Sequence, residues 1–383
     1  MAHTIKNIAV ALVTATAIAG TAHAGGFDRG TADTDILYED GDFVSRSSFT
    51  YVSPTLNITT FGGASTGEVA PDYVIPNFAM KVQATDNVAC AGTYTTPFGG
   101  STDYTGTTLG TDSDALATTQ QEFVTNELGL TCAYQIDAGK GRVSLLGGVF
   151  VQHLDFTQDV LAGTARLNLS DMGYGYRLGA AYEIPEIALR AQVMYRSAVT
   201  VDATGTFDSL VAPVVINPAA FGLATFPRSV EAKVQSGIAP GWLAFGSVKW
   251  TQWSVFDVLE YQAFAAPVNS TLNFFWRDGW TVTGGIARRF NDTFAASASL
   301  TWDRGVGTGH DLQNRDVWSV AVGTSVTPTE RFEIRAGAGV SFFGAASQDF
   351  TTDGIGNPIA SPGFKTSEAG TAIGGSLSAK IKF

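Results

Sequence analysis

Only two of the 383 residues are cysteine, Cys90 and Cys132, and only four are histidine. Two thiols so far apart form no CxxC redox or zinc pair. His153 and His310 show no metal spacing and no recognisable Ser/His/Asp order, so the usual hydrolytic and metal chemistries have no sequence signature. No cofactor is implied either: Gly305, Gly307 and Gly309 follow a strand but open no helix, which excludes a nucleotide loop. After the first two dozen residues no apolar run reaches the roughly 20 residues that a spanning helix requires. No repeat of solenoid or propeller period occurs. Charged residues are scarce at 15%, and acids exceed bases to a net charge of −12, so nucleic acid is not a partner.

What the chain has is dispersed hydrophobicity. Residues 1–24 read as a secretory signal peptide: Lys6 gives the positive start, Ile8 to Ile18 the short apolar stretch, and Ala22-His23-Ala24 the cleavage signal. A mature start at Gly25 follows. Mean hydropathy is +0.11, and 43 glycines are spread through a chain that alternates apolar and polar residues. That distribution is the mark of a membrane barrel rather than of a helical bundle. The last stretch, Gly370 to Phe383, shows the pattern best. Ile373, Leu377, Ala379, Ile381 and Phe383 share one parity, and Ser376, Ser378, Lys380 and Lys382 the other. A final strand that pairs with the first one removes the open edge.

The expected architecture is an all-β, transmembrane antiparallel barrel of about fourteen strands over residues 43–383, with an N-terminal hatch, or plug, over residues 25–42. Short turns are expected at 86–87, 137–141, 184–186, 240–241, 291–292 and 328–330, and long connections near 61–75, 98–119, 155–169, 201–227, 261–278, 305–314 and 344–369. Alternating short and long connections match periplasmic turns and extracellular loops. The hatch segment does not alternate, and its Phe27, Ile36, Leu37 and Tyr38 need cover; a loose periplasmic tail is the other reading.

Parity also predicts facing. Met172, Tyr174, Tyr176, Leu178, Ala180 and Tyr182 oppose Arg177, while Val193 and Tyr195 oppose Arg190 and Arg196. A charge facing lipid near the midplane costs about 2–4 kcal/mol, so the three arginines are expected in the lumen, where they could hold a carboxylate. Pairing with acidic neighbours is the competing expectation. Trp242, Trp250, Trp253, Trp280, Trp302 and Trp318 are expected in interfacial girdles. Cys90 follows one periplasmic turn and Cys132 precedes the next, which allows a cross-strand disulfide or leaves two free thiols.

Phe226-Pro227-Arg228-Ser229-Val230, then Trp250-Thr251-Gln252-Trp253-Ser254-Val255-Phe256 and Trp276-Arg277-Asp278-Gly279-Trp280, resemble the FadL-type family of outer-membrane transporters for long-chain fatty acids and other hydrophobic compounds. The terminal Phe383 resembles the assembly signal of outer-membrane proteins. The resemblance implies a fourteen-stranded barrel with a hatch. It also implies passive uptake of hydrophobic small molecules, long-chain fatty acids foremost, with loop capture and lateral release. Partners would be outer-membrane lipid and lipopolysaccharide, and the barrel assembly machinery during biogenesis. The hatch lacks the Asn-Pro-Ala that members often carry; Asn217-Pro218-Ala219 stands in a long loop instead. That loop is unusually apolar. Val214, Val215, Ile216, Phe221, Leu223 and Phe226 are the expected capture residues. A general diffusion porin for polar solutes, or a surface adhesin or phage receptor, are the alternatives.

Overall fold

The computed structural model describes residues 26–60, 65–105, 118–256, 258–263, 268–273, 275–308, 315–349 and 364–383, except 210–218. The expected signal peptide, Val214, Val215, Ile216 and His310 lie outside the described residues.

Nineteen hydrogen-bonded strand segments form one sheet, and five of its staves are interrupted, which makes fourteen staves. In chain order they are β1 (Phe43–Pro54), β2 (Tyr73–Thr85), β3 (Val88–Thr95 and Gly99–Asp103), β4 (Gln120–Ala138), β5 (Gly141–Val160), β6 (Ala165–Ile184) and β7 (Leu189–Arg196 and Val199–Ser209). Then come β8 (Ala219–Phe226 and Ser229–Ala239), β9 (Trp242–Thr251 and Val258–Ala263), β10 (Val268–Asn273 and Gly279–Arg289), β11 (Phe294–Arg304), β12 (Val317–Thr329), β13 (Phe332–Phe343) and β14 (Gly370–Lys382). Each pairs antiparallel with its chain neighbours, and β14 pairs β1 from Val44 opposite Lys382 to Pro54 opposite Ala372. The sheet is therefore closed. Phe383 completes the seam by donating its N–H to the Phe43 carbonyl and packing edge-on to the Phe43 ring.

Alternation sets the two surfaces. Leu128, Val149, Tyr174, Leu178 and Ile373 point outward and stay more than half exposed, which suits a lipid-facing band. Lys81, Glu127, Arg177, Arg190, Glu333 and Lys380 point inward and are buried. No described helix is long and apolar enough to cross a membrane; the strands do the crossing.

The structure corrects two expectations. Stretches read as loops near 155–169, 201–227 and 261–278 are largely strand, because the sheet continues in long hairpins beyond the apolar band. There the alternation continues with polar residues on the outer face, as in Arg166, Asn168 and Ser170 against Leu167 and Leu169. This departs from the apolar-out pattern of the membrane band. Trp253 is no girdle residue: its side chain is fully buried inside the barrel, because a short 3-10 turn, Trp253–Val255, folds it inward. A separate four-stranded sheet of Asn57–Thr60, Ser65–Glu68, Ala346–Asp349 and Phe364–Ser367 stands at the loop end.

Candidate functional site: an aromatic chamber and an acidic hatch

Residues 26–39 pack against the inward-facing residues of the barrel wall. A 3-10 turn, Thr34–Tyr38, buries Ile36 and Leu37 against Val44, Ala79, Ala89, Ala91, Ala133, Leu146 and Ala181 on β1 to β6. Alanines on that wall leave room for the segment's backbone. Four acids of the segment, Asp28, Asp33, Asp35 and Glu39, each meet a wall cation. Asp28 Oδ2 is 2.8 Å from Lys249 Nζ, Asp33 Oδ2 is 2.6 Å from Arg46 Nη1, and Asp35 Oδ2 is 3.4 Å from Lys233 Nζ. Glu39 accepts from Arg46 Nη2 at 2.5 Å and from Lys380 Nζ at 2.9 Å, with Lys382 Nζ at 3.5 Å. Burial alone would raise the Glu39 carboxyl, but Lys380 and Arg46 outweigh it and hold the group well below its ordinary value. Charge complementarity thus fixes the register of a segment that has no strand of its own. Tyr38 lies under the Arg190 guanidinium, 4.0 Å from ring centroid to Cζ.

The segment's first residues reach an apolar chamber near the loop end. Phe27 packs on Phe123 at 4.6 Å, Trp276 at 4.7 Å and Phe256 at 5.6 Å between ring centroids. Phe98, Phe150, Phe156, Phe226 and Trp253 complete an aromatic wall with Leu154, Leu167 and Leu169. Gly26 is required here on two counts. Its φ is +62°, and an added methyl would lie 2.6 Å from the Trp253 ring. An apolar cavity of about 30 Å³ remains between Phe27, Phe123, Phe156, Phe226 and Phe256. The rings themselves fill most of the space, so occupancy by a ligand requires them, or Phe27 with its hatch, to shift.

Beneath the chamber Arg177 and Arg196 converge on one carboxylate, Glu127. Arg177 Nη2 donates to Oε1, and Arg196 Nη2 donates to Oε2 at 2.8 Å and to Gln152 Oε1 at 2.6 Å. Both guanidinium groups lie over the Phe150 ring at 4.5 Å. Two cations against one anion leave the cluster positive, and Arg177 Nη1 and Gln152 Nε2 are buried donors with no partner among the described residues. Arg190 stands apart, paired with Glu183 at 2.9 Å. The three lumen arginines are thus one pair and one outlier.

The expected capture residues also divide. Phe226 is 1% exposed and belongs to the chamber, whereas Phe221 and Leu223 are 41% and 54% exposed on the opposite, outer face of β8. A strand puts even and odd positions on different faces, so these residues form no single site. Cys90 and Cys132 are paired across β3 and β4 and joined by a disulfide.

Beside the chamber the wall has a break. β2 and β3 pair from Val88 up to Asn77 opposite Thr95, and no rung joins them beyond it among the described residues. There Pro97 interrupts β3, and the hatch takes over the free backbone groups. Arg29 N–H donates to Pro97 O at 2.9 Å, Gly30 N–H to Thr96 O at 2.8 Å, and Gly99 N–H to Phe27 O at 3.0 Å. The Arg29 guanidinium stacks over Tyr73 of β2 at 3.4 Å and its Nε donates to Gly99 O, closing the break with one side chain.

On the outer face His153 does meet a serine and an aspartate, with Nε2 3.0 Å from Ser170 Oγ and Nδ1 3.1 Å from Asp155 Oδ2. Ser170 donates equally to Asp155 at 3.2 Å, and the backbone N–H groups beside it run along the β5–β6 and β6–β7 ladders. Donors aimed at an oxyanion are absent from that ladder geometry, so the trio is a polar cluster on the sheet.

A closed barrel with an internal plug, an aromatic chamber and an apolar outer band defines an outer-membrane channel for hydrophobic compounds. The chain belongs to the outer membrane protein transport family OMPP1/FadL/TodX, whose sequence profile matches residues 37–353. A long-chain fatty acid transport protein of Salmonella typhi is 23% identical over 339 residues, covering 78% of this chain and 74% of the relative. The corresponding Escherichia coli K12 protein is 23% identical over 349 residues, covering 78% and 75%. In fold, a Pseudomonas aeruginosa FadL homologue superposes with a TM-score of 0.72 at 14% identity, covering 91% of this chain and 92% of that one. The Pseudomonas putida toluene transporter TodX gives 0.69 at 13% identity, covering 98% and 99%. These relatives are transport channels rather than enzymes.

Sequence reasoning missed the hatch acids and most of the chamber. A signal for the first existed: Arg46, Lys233, Lys249 and Lys380 each fall on the inward parity of a strand, and an acidic segment is their natural counterpart. Chamber residues carry no such signal, because inward aromatics come from strands far apart in the chain.

Proposed function

We propose that the protein carries long-chain fatty acids or similar apolar compounds from the outer surface, through the aromatic chamber, to the break between β2 and β3. The chamber carries the reading: a cluster of buried rings inside a membrane barrel, met by the tip of the hatch at Phe27. Water-soluble cargo would gain nothing from such a lining, whereas each buried methylene of an acyl chain gains about 0.8 kcal/mol. Arg177 and Arg196, next to the chamber and net positive with Glu127, suit the carboxylate end. Movement of the hatch would withdraw Phe27 from the rings and Arg29 from Tyr73 together, since only Asp28 separates them. Phe221 and Leu223, on the outer face, serve as a first apolar foothold rather than as the holding site.

A second reading rests on the ring content of the chamber. Edge-to-face packing, as between Phe27 and Phe123, favours ring-shaped cargo by about 0.5–1.5 kcal/mol beyond area alone. Monoaromatic hydrocarbons need no carboxylate partner, so the arginines separate the two. Replacing Phe226 by Ser should slow uptake of labelled oleate in cells with normal barrel levels; unchanged uptake at low concentration would contradict the chamber route. Comparing oleate with toluene in an Arg196→Gln variant then decides the cargo.

A further inference from the structure

The hatch fills only half of the lumen. Its apolar turn leans on the alanine wall of β1 to β6, and below the aromatic chamber acid side chains reach across to the other staves. On that other side a cavity of about 200 Å³ remains, large enough for several water molecules. Ser48, Thr50, Ser247, Thr283, Ser376 and Ser378 line it. None of these residues belongs to the aromatic chamber. Hydroxyls that face a void of this size are hydrated, since a dry cavity would be apolar. Arg46, itself 4% exposed, lines the same cavity, and its Nε has no partner among the described residues.

Toward the periplasmic turns the cavity ends on charge. Glu39 sits at the centre, held by Arg46, Lys380 and Lys382, while the Lys81 ammonium donates to its backbone carbonyl at 2.5 Å. Glu333 takes a second contact from Lys380 at 2.5 Å and one from Arg335 at 2.6 Å. Five cationic side chains therefore surround Glu39 and Glu333, with Asp33 above them on Arg46. The wall supplies these five cations and a single carboxylate, Glu333; the hatch balances them with Glu39, Asp33, Asp40 and Asp42.

We infer that the barrel contains a second, polar passage along β9 to β14 and β1, that Glu39 is its bolt, and that small anions are what the opened passage conducts. Glu39 contacts three wall cations, whereas Asp28, Asp33 and Asp35 each bridge to one, so releasing Glu39 frees the periplasmic end of the hatch first. What stays behind is a ring of lysine and arginine, and cation-lined constrictions select anions. The inference is independent of which hydrophobic compound the aromatic chamber carries.

Planar-bilayer recording on the full mature protein tests it. Glu39→Gln should raise single-channel conductance several-fold, with a reversal potential in a potassium chloride gradient that reports chloride preference. Adding Ser376→Trp should bring conductance back toward the wild-type level. Unchanged conductance in a heat-modifiable, closed-barrel Glu39→Gln protein would overturn the bolt. A rise that Ser376→Trp leaves untouched would overturn the route, and potassium preference would overturn the anion class. A separate measurement keeps the idea testable if Glu39→Gln fails to assemble. In an otherwise native protein Ser378→Cys should react with a small anionic thiol reagent faster than with its cationic analogue. A thiol there that reacts with neither, or faster with the cation, contradicts a solvated, cation-walled cavity.

Discussion

Two halves of the same lumen are built from different residues. Staves β3 to β9 turn Phe98, Phe123, Phe150, Phe156, Phe226, Trp253 and Phe256 inward, and the interior there is filled by rings. Staves β11 to β14 turn inward mainly Ala295, Ser297, Ser299, Thr301, Ser319, Ala321, Gly337, Gly339, Ala372 and Ser376, and the interior there is partly empty. Both halves obey the same period-two rule, and both outer faces are apolar. The lesson is that alternation specifies the barrel, while side-chain volume on the inward parity decides what each sector of the lumen can hold. Acidic residues of the hatch bridge the sectors, and apolar ones dock it on one side.

The comparison is sharpened first by removing a ring. Phe226→Ser loses a fully buried aromatic contact, of order 3 kcal/mol by large-to-small precedent, and should cut oleate uptake at low concentration by about tenfold. Thr283→Phe adds a ring to the other sector and should leave uptake within about twofold, since it projects into the cavity and gives up only a hydroxyl contact with Thr301. Equal losses in both variants would break the distinction. Initial rates of labelled oleate uptake decide it.

A smaller effect is expected at the arginine pair. Arg196→Gln removes one of two charges from Glu127 and should weaken oleate transport by about threefold to tenfold, with toluene transport unchanged if a carboxylate is held there. Parallel uptake assays with the two compounds read this out. Phe221→Ser, on the outer face, should have the lesser effect of the two apolar positions in β8.

The hatch's response to pH follows from the sign of its shifts. Glu39 and Asp35 both lie below their ordinary values in the folded protein: burial pushes them up, and Lys380 and Arg46 for one, Lys233 and Arg190 for the other, bring them down further. Their contribution is complete above the ordinary carboxylate value, 4.5 for Glu39, and is lost only as pH falls through the lower folded value. Hatch proteolysis in detergent should therefore stay constant from neutral pH down to that ordinary value and rise only in stronger acid. Increased cleavage at mildly acidic pH would contradict the pairing.

The smallest effect is assigned to the disulfide. Cys90 and Cys132 face outward on directly opposed positions of a ladder that already pairs β3 with β4. Alkylating the denatured, unreduced protein should label neither thiol. Replacing both by Ser should lower the unfolding temperature of the barrel by a few degrees without changing uptake, as the closed ladder supplies most of the constraint.

The fold was legible because a period of two survives in every stave: Tyr174, Tyr176 and Leu178 outward against Arg177 inward needed no structure to be placed. The site was legible only in part. Phe27 was seen to need cover, but its partners Phe123, Phe256 and Trp276 come from different staves and share no local pattern. Phe221, Leu223 and Phe226 were grouped by proximity in sequence, although a strand there separates them onto two faces. For Glu39 the inward cations signalled an acidic partner but not which one, since its three cations stand at both ends of the chain.

The central claim is that hydrophobic cargo occupies the ring-filled sector and avoids the hydroxyl-lined one. Photo-crosslinking with an oleate carrying a diazirine near the end of its chain, followed by peptide mapping, tests this most directly. Crosslinks are predicted at Phe27, Phe123, Phe156 and Phe226. Crosslinks concentrated at Ser247, Thr283, Ser376 and Ser378 instead would contradict the account.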